Sequence, residues 1–290
     1  CGSWGSVGNA YDVQARMVDA FVWNHPDFAI FFAAGNEGPG ANTINSPGTA
    51  KDIVTVGGAC NPDGASQCPG AQNDLASFSS HGPTQDGRLK PDIVTIADGF
   101  SATSSGSPFD CPDYPSNCVA PGDHGWAGTS YSTPAAAAAA AILRQYFTQG
   151  WYPSRAPLAA DAFDPSAALI RAMLLASGQQ LTGAGATAAS WPNDQQGFGR
   201  ILLSSVLPLP GDGFATPVVD NGAGLVTGQA MTFTFHVVSA ASGVRFVLAW
   251  TDYPGTLGAS KALVNDLDLQ VTAPNGTVYR GNNFGSASFG

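Results

Sequence analysis

The first two hundred residues alternate between amphipathic and wholly apolar stretches. Residues 7–23 carry Val7, Tyr11, Ala15, Val18, Phe21 and Val22 among polar positions, a spacing of three and four that predicts a helix with one buried face. Asn24, His25 and Pro26 end it. Residues 28–34 (Phe-Ala-Ile-Phe-Phe-Ala-Ala) are apolar throughout, as in a strand covered on both faces, and stop at the loop Gly35-Asn36-Glu37-Gly38-Pro39-Gly40. Apolar runs at 53–56 and 93–96 predict two more buried strands. A helix is expected from the Gly128–Pro134 stretch to about residue 147, and another from Asp164-Pro165 to 177, with Pro165 at its first position. Helix, strand, loop, strand in this order predicts an α/β fold with a parallel sheet.

After Leu207 the texture changes. Residues 208–214 (Pro-Leu-Pro-Gly-Asp-Gly-Phe) read as a linker, and 231–238, 244–250 and 267–272 alternate as strands do. Pro274-Asn275-Gly276-Thr277 is a hairpin turn leading into Val278 and Tyr279. The expected organisation is therefore an α/β unit over 1–207, the linker, and an all-β unit over 215–290. That last stretch is short for a complete sandwich and is expected to be partial.

Composition narrows the partners. The 290 residues include 11 basic and 21 acidic side chains, net −10, with no basic cluster to follow a phosphate backbone, so nucleic acid is not an expected partner. No apolar run approaches the ~20 residues that span a bilayer, and no membrane partner is expected. Cys60/Cys68 and Cys111/Cys118 each bracket a short polar loop, which favours two local disulfides and an oxidising, extracellular compartment over free thiols. Zinc is the competing reading, but neither pair has Cys-x-x-Cys spacing. Cys1 is left over.

The candidate chemistry centres on Gly128-Thr129-Ser130-Tyr131-Ser132-Thr133-Pro134, followed by alanine from 135 to 141. A Gly-Thr-Ser turn entering an Ala-rich helix sets one serine where unpaired backbone N–H groups and the helix dipole favour negative charge. Such a serine can simply cap the helix, or it can be a nucleophile whose oxyanion is stabilised there. Asn36, just beyond the C-terminal end of a buried strand, is the candidate second oxyanion donor; its bland alternative is a turn residue beside Gly35.

These segments resemble the subtilisin-like serine proteases (subtilases). The Gly128–Ala137 stretch matches the family's nucleophile signature at each defined position, and Ala33-Ala34-Gly35-Asn36 is similar to its oxyanion segment. Ser3-Trp4-Gly5 resembles its substrate-binding strand, and Phe78-Ser79-Ser80-His81-Gly82-Pro83 with Lys90-Pro91-Asp92 resembles a further run, all in family order. Trp250-Thr251-Asp252, residues 263–269, Ala273–Thr277 and Gly281-Asn282 are similar to the C-terminal β-sandwich of the KP-43-type alkaline subtilases. The resemblance implies peptide-bond hydrolysis through an acyl-enzyme at Ser130, with the Ser130 N–H and Asn36 binding the oxyanion. It implies that Ser3, Trp4, Gly5, Ala33, Ala34 and Gly35 flank the side chain before the cleaved bond, with Asn45 at the pocket floor and a cis bond at Ser46-Pro47. The partners it implies are proteins or peptides, and no catalytic cofactor is needed.

The sequence also departs from the pattern. The family's catalytic Asp and His precede its Ser-x-Gly strand, so they are expected upstream of Cys1; the 290 residues alone are expected to be inactive without that N-terminal segment. His25, His81, His124 and His236 do not stand at the base position, and Thr95–Gly99 departs from the usual Ala-Pro-Gly. Tyr131 occupies a position where many subtilisins carry an oxidisable Met. Asn265, Asp266 and Asp268 are closely spaced oxygen donors of the kind structural calcium prefers, or else a strand edge and its turn. Asn275-Gly276-Thr277 is formally a glycosylation sequon, better explained as the hairpin turn. Two other readings stand beside the serine endopeptidase. A sedolisin is disfavoured by Asn36, where that group has Asp; a non-catalytic subtilase-like binding protein would be recognised by a decayed upstream Asp and His.

Overall fold

The computed structural model describes residues 1–61, 68, 70–98, 127–186, 190–237 and 243–281. Its centre is a parallel sheet of three strands in the order β1 (Phe31–Ala33), β2 (Val54–Ala59) and β3 (Ile93–Ile96). Phe31 pairs with Val54, and Val56 with Ile93. Single bridges extend both edges, Gly2 beside Phe32 and Arg200 beside Val94.

Successive strand side chains point to opposite faces, and each face meets helices. Phe31, Val54, Val56 and Ile93 pack on one side against Ala136, Ala139, Ala140, Leu143 and Phe147 of α2 (Thr129–Thr148) and against Leu169, Ile170, Met173 and Leu174 of α3 (Ala167–Ser177). The buried alanines at 136, 139 and 140 form a smooth face on which the helix approaches the strands closely. Phe32 points the other way and packs with Tyr11, Ala15 of α1 (Val13–Asn24), Ala50, Ile53 and, from far along the chain, Ala262. This is the parallel α/β architecture expected from the sequence.

The boundaries shift for local reasons. α1 begins at Val13, not near residue 7, because the Asp12 carboxylate accepts the N–H groups of Gln14 and Ala15, both at 3.0 Å, and caps the helix there. α3 begins after Ser166, whose hydroxyl accepts the Leu169 N–H at 3.0 Å, so Pro165 lies ahead of the cap and not at the first helical position. Cys60 and Cys68 form the expected disulfide; Cys111 and Cys118 lie outside the described residues. Cys1 is free and exposed. The Ser46–Pro47 bond is cis, as expected.

Beyond residue 207 the described residues differ from the expected sandwich. Paired strands there are β4 (Gln270–Thr272) and β5 (Val278–Arg280), an antiparallel hairpin around the predicted turn. Residues 231–237 and 244–250 keep their alternating pattern without a ladder, and Phe233, Phe235, Phe246 and Leu248 remain exposed. Alternation encodes a strand with two unlike faces, but not which partner pairs with it. The linker is tied down: Tyr146 Oη donates to Pro208 O at 2.8 Å, and Arg155 donates to the carbonyls of Asp212 and Phe214.

Candidate active site

The C-terminal ends of β1 and the edge segment, the N-terminus of α2 and the turn at Asn45 converge on one pocket of ≈ 180 Å³. It is lined by Ser3, Trp4, Gly5, Ala33, Gly35, Asn36, Glu37, Asn45, Thr129 and Ser130. That volume suits a single side chain and is small for a cofactor, whose sites run to about 300–1,000 Å³.

Ser130 is the second residue of α2, so its N–H belongs to the four that the helix itself cannot satisfy. Its hydroxyl donates to Ser3 O at 3.3 Å, across the pocket mouth. Asn36 sits beside it: its Oδ1 accepts the Thr129 N–H at 2.9 Å and the Thr129 hydroxyl at 3.0 Å, which leaves Nδ2 as the end free to donate. Gly128 precedes the helix at φ +159°, and a Cβ there would sit in van der Waals contact with the Asn36 amide, 3.4 Å from Nδ2.

The floor is polar. Asn45 Nδ2 donates to Glu37 Oε2 at 2.8 Å, and Ser80 Oγ donates to the same oxygen at 3.1 Å. Gly35, at φ +112°, makes this possible: a Cβ would fall 2.5 Å from Glu37 Oε2 and 2.8 Å from Asn45 Nδ2. Trp4 forms a wall, held edge-on to Phe32 at 5.5 Å.

Of the residues expected at the site, Ser3, Trp4, Gly5, Ala33, Gly35, Asn36, Asn45 and Ser130 line the pocket. Ala34 does not. It is fully buried behind the wall, where its carbonyl accepts the Asn45 N–H at 3.0 Å. Glu37 is the lining residue that motif matching missed, although a lone carboxylate inside a Gly-rich loop was a usable signal.

The Phe78–Pro83 and Lys90–Asp92 runs buttress the site from behind. Ser80 accepts the Glu37 N–H, Ser79 accepts the Gly58 N–H, and Asp92 accepts the Thr55 N–H at 2.6 Å while pairing with Lys90 at 2.5 Å. Lys90 is wholly buried, which pulls its pKa down against the pull of Asp92.

Among the described residues no histidine lines the pocket. His81 is buried behind it, with burial lowering its pKa against a backbone hydrogen bond to Pro39, and His25 stacks on Phe21 at the end of α1. His236 is exposed, and His124 lies outside the described residues.

Asn265 turns its amide N–H to Asp252 Oδ1 at 2.9 Å, Asp266 and Asp268 are exposed, and among the described residues no three His, Cys, Asp or Glu side chains converge to hold a metal ion.

The profile of the Peptidase_S8 group, described as the subtilase family, matches residues 1–199. A "Serine protease/ABC transporter B family protein tagD" from Dictyostelium discoideum is 26% identical over 99% of this chain and 22% of its own length. "Serine protease AprX" from Bacillus subtilis is 40% identical over 46% of this chain and 29% of its own. The chain thus spans less than a third of the length of either relative. Among solved structures, the prenylagaramide maturation protease PagA is similar over 70% of this chain and 58% of its own, at 15% identity and a TM-score of 0.45. With a family profile covering more than half of its length, this chain belongs to the subtilase family.

Proposed function

We propose that the protein is a secreted serine endopeptidase in which Ser130 forms the acyl-enzyme. The observation that carries this reading is the juxtaposition of Ser130, at a helix N-terminus, with an Asn36 amide whose oxygen is already occupied, at the mouth of a pocket the size of one side chain. In this reading Ser130 Oγ bonds to the substrate carbonyl carbon as a base takes its proton. The resulting oxyanion is met by the Ser130 N–H and Asn36 Nδ2. Collapse breaks the C–N bond, the amine leaves with the proton, and water later hydrolyses the ester. The base and its orienting acid come from a further segment of the same protein; the 290 residues alone are inactive in this reading. The Cys60–Cys68 disulfide supports an oxidising compartment.

The pocket selects the side chain before the cleaved bond. Glu37 places a carboxylate in it, anchored through one oxygen by Asn45 and Ser80, which favours a Lys or Arg side chain over an acidic one. Fluorophosphonate labelling of the full-length protein tests the nucleophile. Labelling is expected on Ser130, absent from Ser130→Ala and absent from the 290 residues alone. Label that survives Ser130→Ala removes the residue from its role, and an intact full-length protein that never labels favours a non-catalytic peptide-binding subtilase.

A further inference from the structure

Residues 245–265 cross the α/β unit as a strap. Arg245 donates to the carbonyls of Ala176 and Gly178 at the end of α3, with its guanidinium 4.9 Å over the Trp191 ring. Arg171, earlier in the same helix, donates to Trp250 O, so the segment runs antiparallel to α3. It then crosses the end of α1, where the Tyr253 ring meets Trp23 edge-on at 5.3 Å. The Gly255 N–H reaches Tyr11 Oη at 3.0 Å, the Ala262 N–H reaches Asp86 at 3.0 Å, and the Ala262 side chain enters the cluster around Phe32.

The strap is fastened by a buried ion pair. Lys51 Nζ lies 2.5 Å from Asp252 Oδ2, the two side chains being 4% and 3% exposed. Lys51 also donates to Tyr253 O at 2.6 Å, and the Asp252 carboxylate further accepts the N–H groups of Val264 and Asn265. Taking two charges out of water costs several kcal/mol each before attraction offsets it, so such a pair fixes a register more reliably than it adds stability.

The register it fixes leads to the pocket. Lys51 stands six residues after Asn45, the floor residue. The stretch between is held by Ser46, whose backbone pairs with Ser6 and Gly8, and by Thr49, whose hydroxyl donates to Ala10 O at 2.9 Å. At its far end Asp19 accepts the N–H groups of Lys51 and Asp52, both at 3.0 Å, while Asp52 in turn accepts the Asp252 N–H at 2.9 Å. One stretch, 45–52, is thus anchored at one end to Glu37 and at the other to the strap.

We infer that the strap is a positioning device for the pocket, in which the Lys51–Asp252 pair holds residues 45–52 in register and so sets Asn45 against Glu37. Lys51 and Asp252 are positioning residues that touch no substrate. The consequence for peptide hydrolysis rests on the function proposed above; the mechanical coupling does not.

Hydrogen exchange on the 290-residue chain tests the coupling. Lys51→Met keeps the length of the stem and loses the ammonium. Its amides at 45–50 are expected to exchange about tenfold faster, with those of α2 unchanged. Exchange at 45–50 within about twofold of the parent, while 250–265 accelerates, would show a mere cover and overturn the inference. If Lys51→Met also loses protection in α2, Asp252→Asn decides by the same criterion, since it removes the charge but keeps one oxygen, Oδ1, for the Asn265 amide. In the full-length protein Lys51→Met is expected to raise KM about tenfold with kcat within about twofold. A fall in kcat at unchanged KM contradicts the inference. A parent protein that hydrolyses no peptide contradicts the protease reading instead, and leaves the exchange result to judge the strap.

Discussion

The side-chain oxygen of Asn36 accepts both the backbone N–H and the hydroxyl of Thr129, at 2.9 and 3.0 Å, across 93 residues of sequence. In the proposed function, the helix that carries Ser130 therefore orients the amide that would serve it. Asn36→Leu is expected to lower kcat by ~10²–10³ with little change in KM, as for loss of one oxyanion donor. Thr129→Val keeps the shape but removes a hydroxyl that also accepts the Gly35 N–H at 3.3 Å, and is expected to cost about 1 kcal/mol in stability by leaving that half-buried group without its partner. Steady-state kinetics and denaturant unfolding separate the two effects.

Gly35 is irreplaceable for two independent reasons. Its φ of +112° disfavours any L side chain, and a Cβ would collide with the Glu37–Asn45 hydrogen bond. Gly35→Ala is expected to cost about 1–3 kcal/mol from backbone strain alone. It is also expected to raise KM by displacing the floor. Thermal unfolding and KM would both move; a variant with normal KM would refute the steric part.

In the proposed function Glu37 sets the charge preference of the pocket. Glu37→Gln retains the size and an acceptor oxygen, so the Asn45 contact survives while the charge is lost. Expected is about a tenfold fall in kcat/KM for substrates with Lys before the cleaved bond, with Leu substrates unchanged or improved. Competition assays on paired peptides measure it directly.

Asp52 gives the fold a pH signature. Burial raises its carboxyl from 3.8 to about 7, opposed by Arg171 and reinforced by Asp19, with Lys51 and the Asp252 N–H also pulling downward. A carboxyl that binds its proton more tightly when folded contributes stability that is complete below pH 3.8 and is lost as pH rises through about 7. Asp252, held below its ordinary value by Lys51 and two backbone N–H groups in spite of its burial, acts oppositely and only in more acidic solution. Tyr11 faces the same cluster and stays protonated throughout. Asp52→Asn is therefore expected to match the parent below pH 3.8 and to exceed it by a growing margin up to pH 8 in urea unfolding; parallel pH profiles would contradict this.

Tyr131 follows Ser130, the proposed nucleophile, and cannot form a sulfoxide. In the full-length protein, Tyr131→Met is expected to be inactivated by peroxide faster than the parent. Equal inactivation rates would dispose of the idea.

Much of this was legible in sequence because its causes are local. A Gly-Thr-Ser turn, an alanine run and continuous apolar strands announce α2, Ser130 and the sheet without reference to anything distant. Boundaries were less legible, since a single cap hydrogen bond at Asp12 or Ser166 decides where a helix starts. Ala34 shows the limit of carrying a motif over whole: three neighbouring residues match, but one of them is buried behind the pocket wall. The strap was invisible for another reason. Trp250-Thr251-Asp252 looks like the end of a strand, and nothing in its periodicity states that Asp252 will meet Lys51, 201 residues earlier.

Those separations also set when the pocket can exist. Ser130 meets Ser3 over 127 residues and Asp252 meets Lys51 over 201, so loop-closure entropy must be overcome before most of the site's contacts form. During synthesis at about 5–20 residues per second, the nucleophile emerges on the order of ten seconds before the strap that steadies the pocket floor. A protein that cuts peptides would thus complete its specificity pocket only once residues 245–265 have been made and have folded back over Lys51.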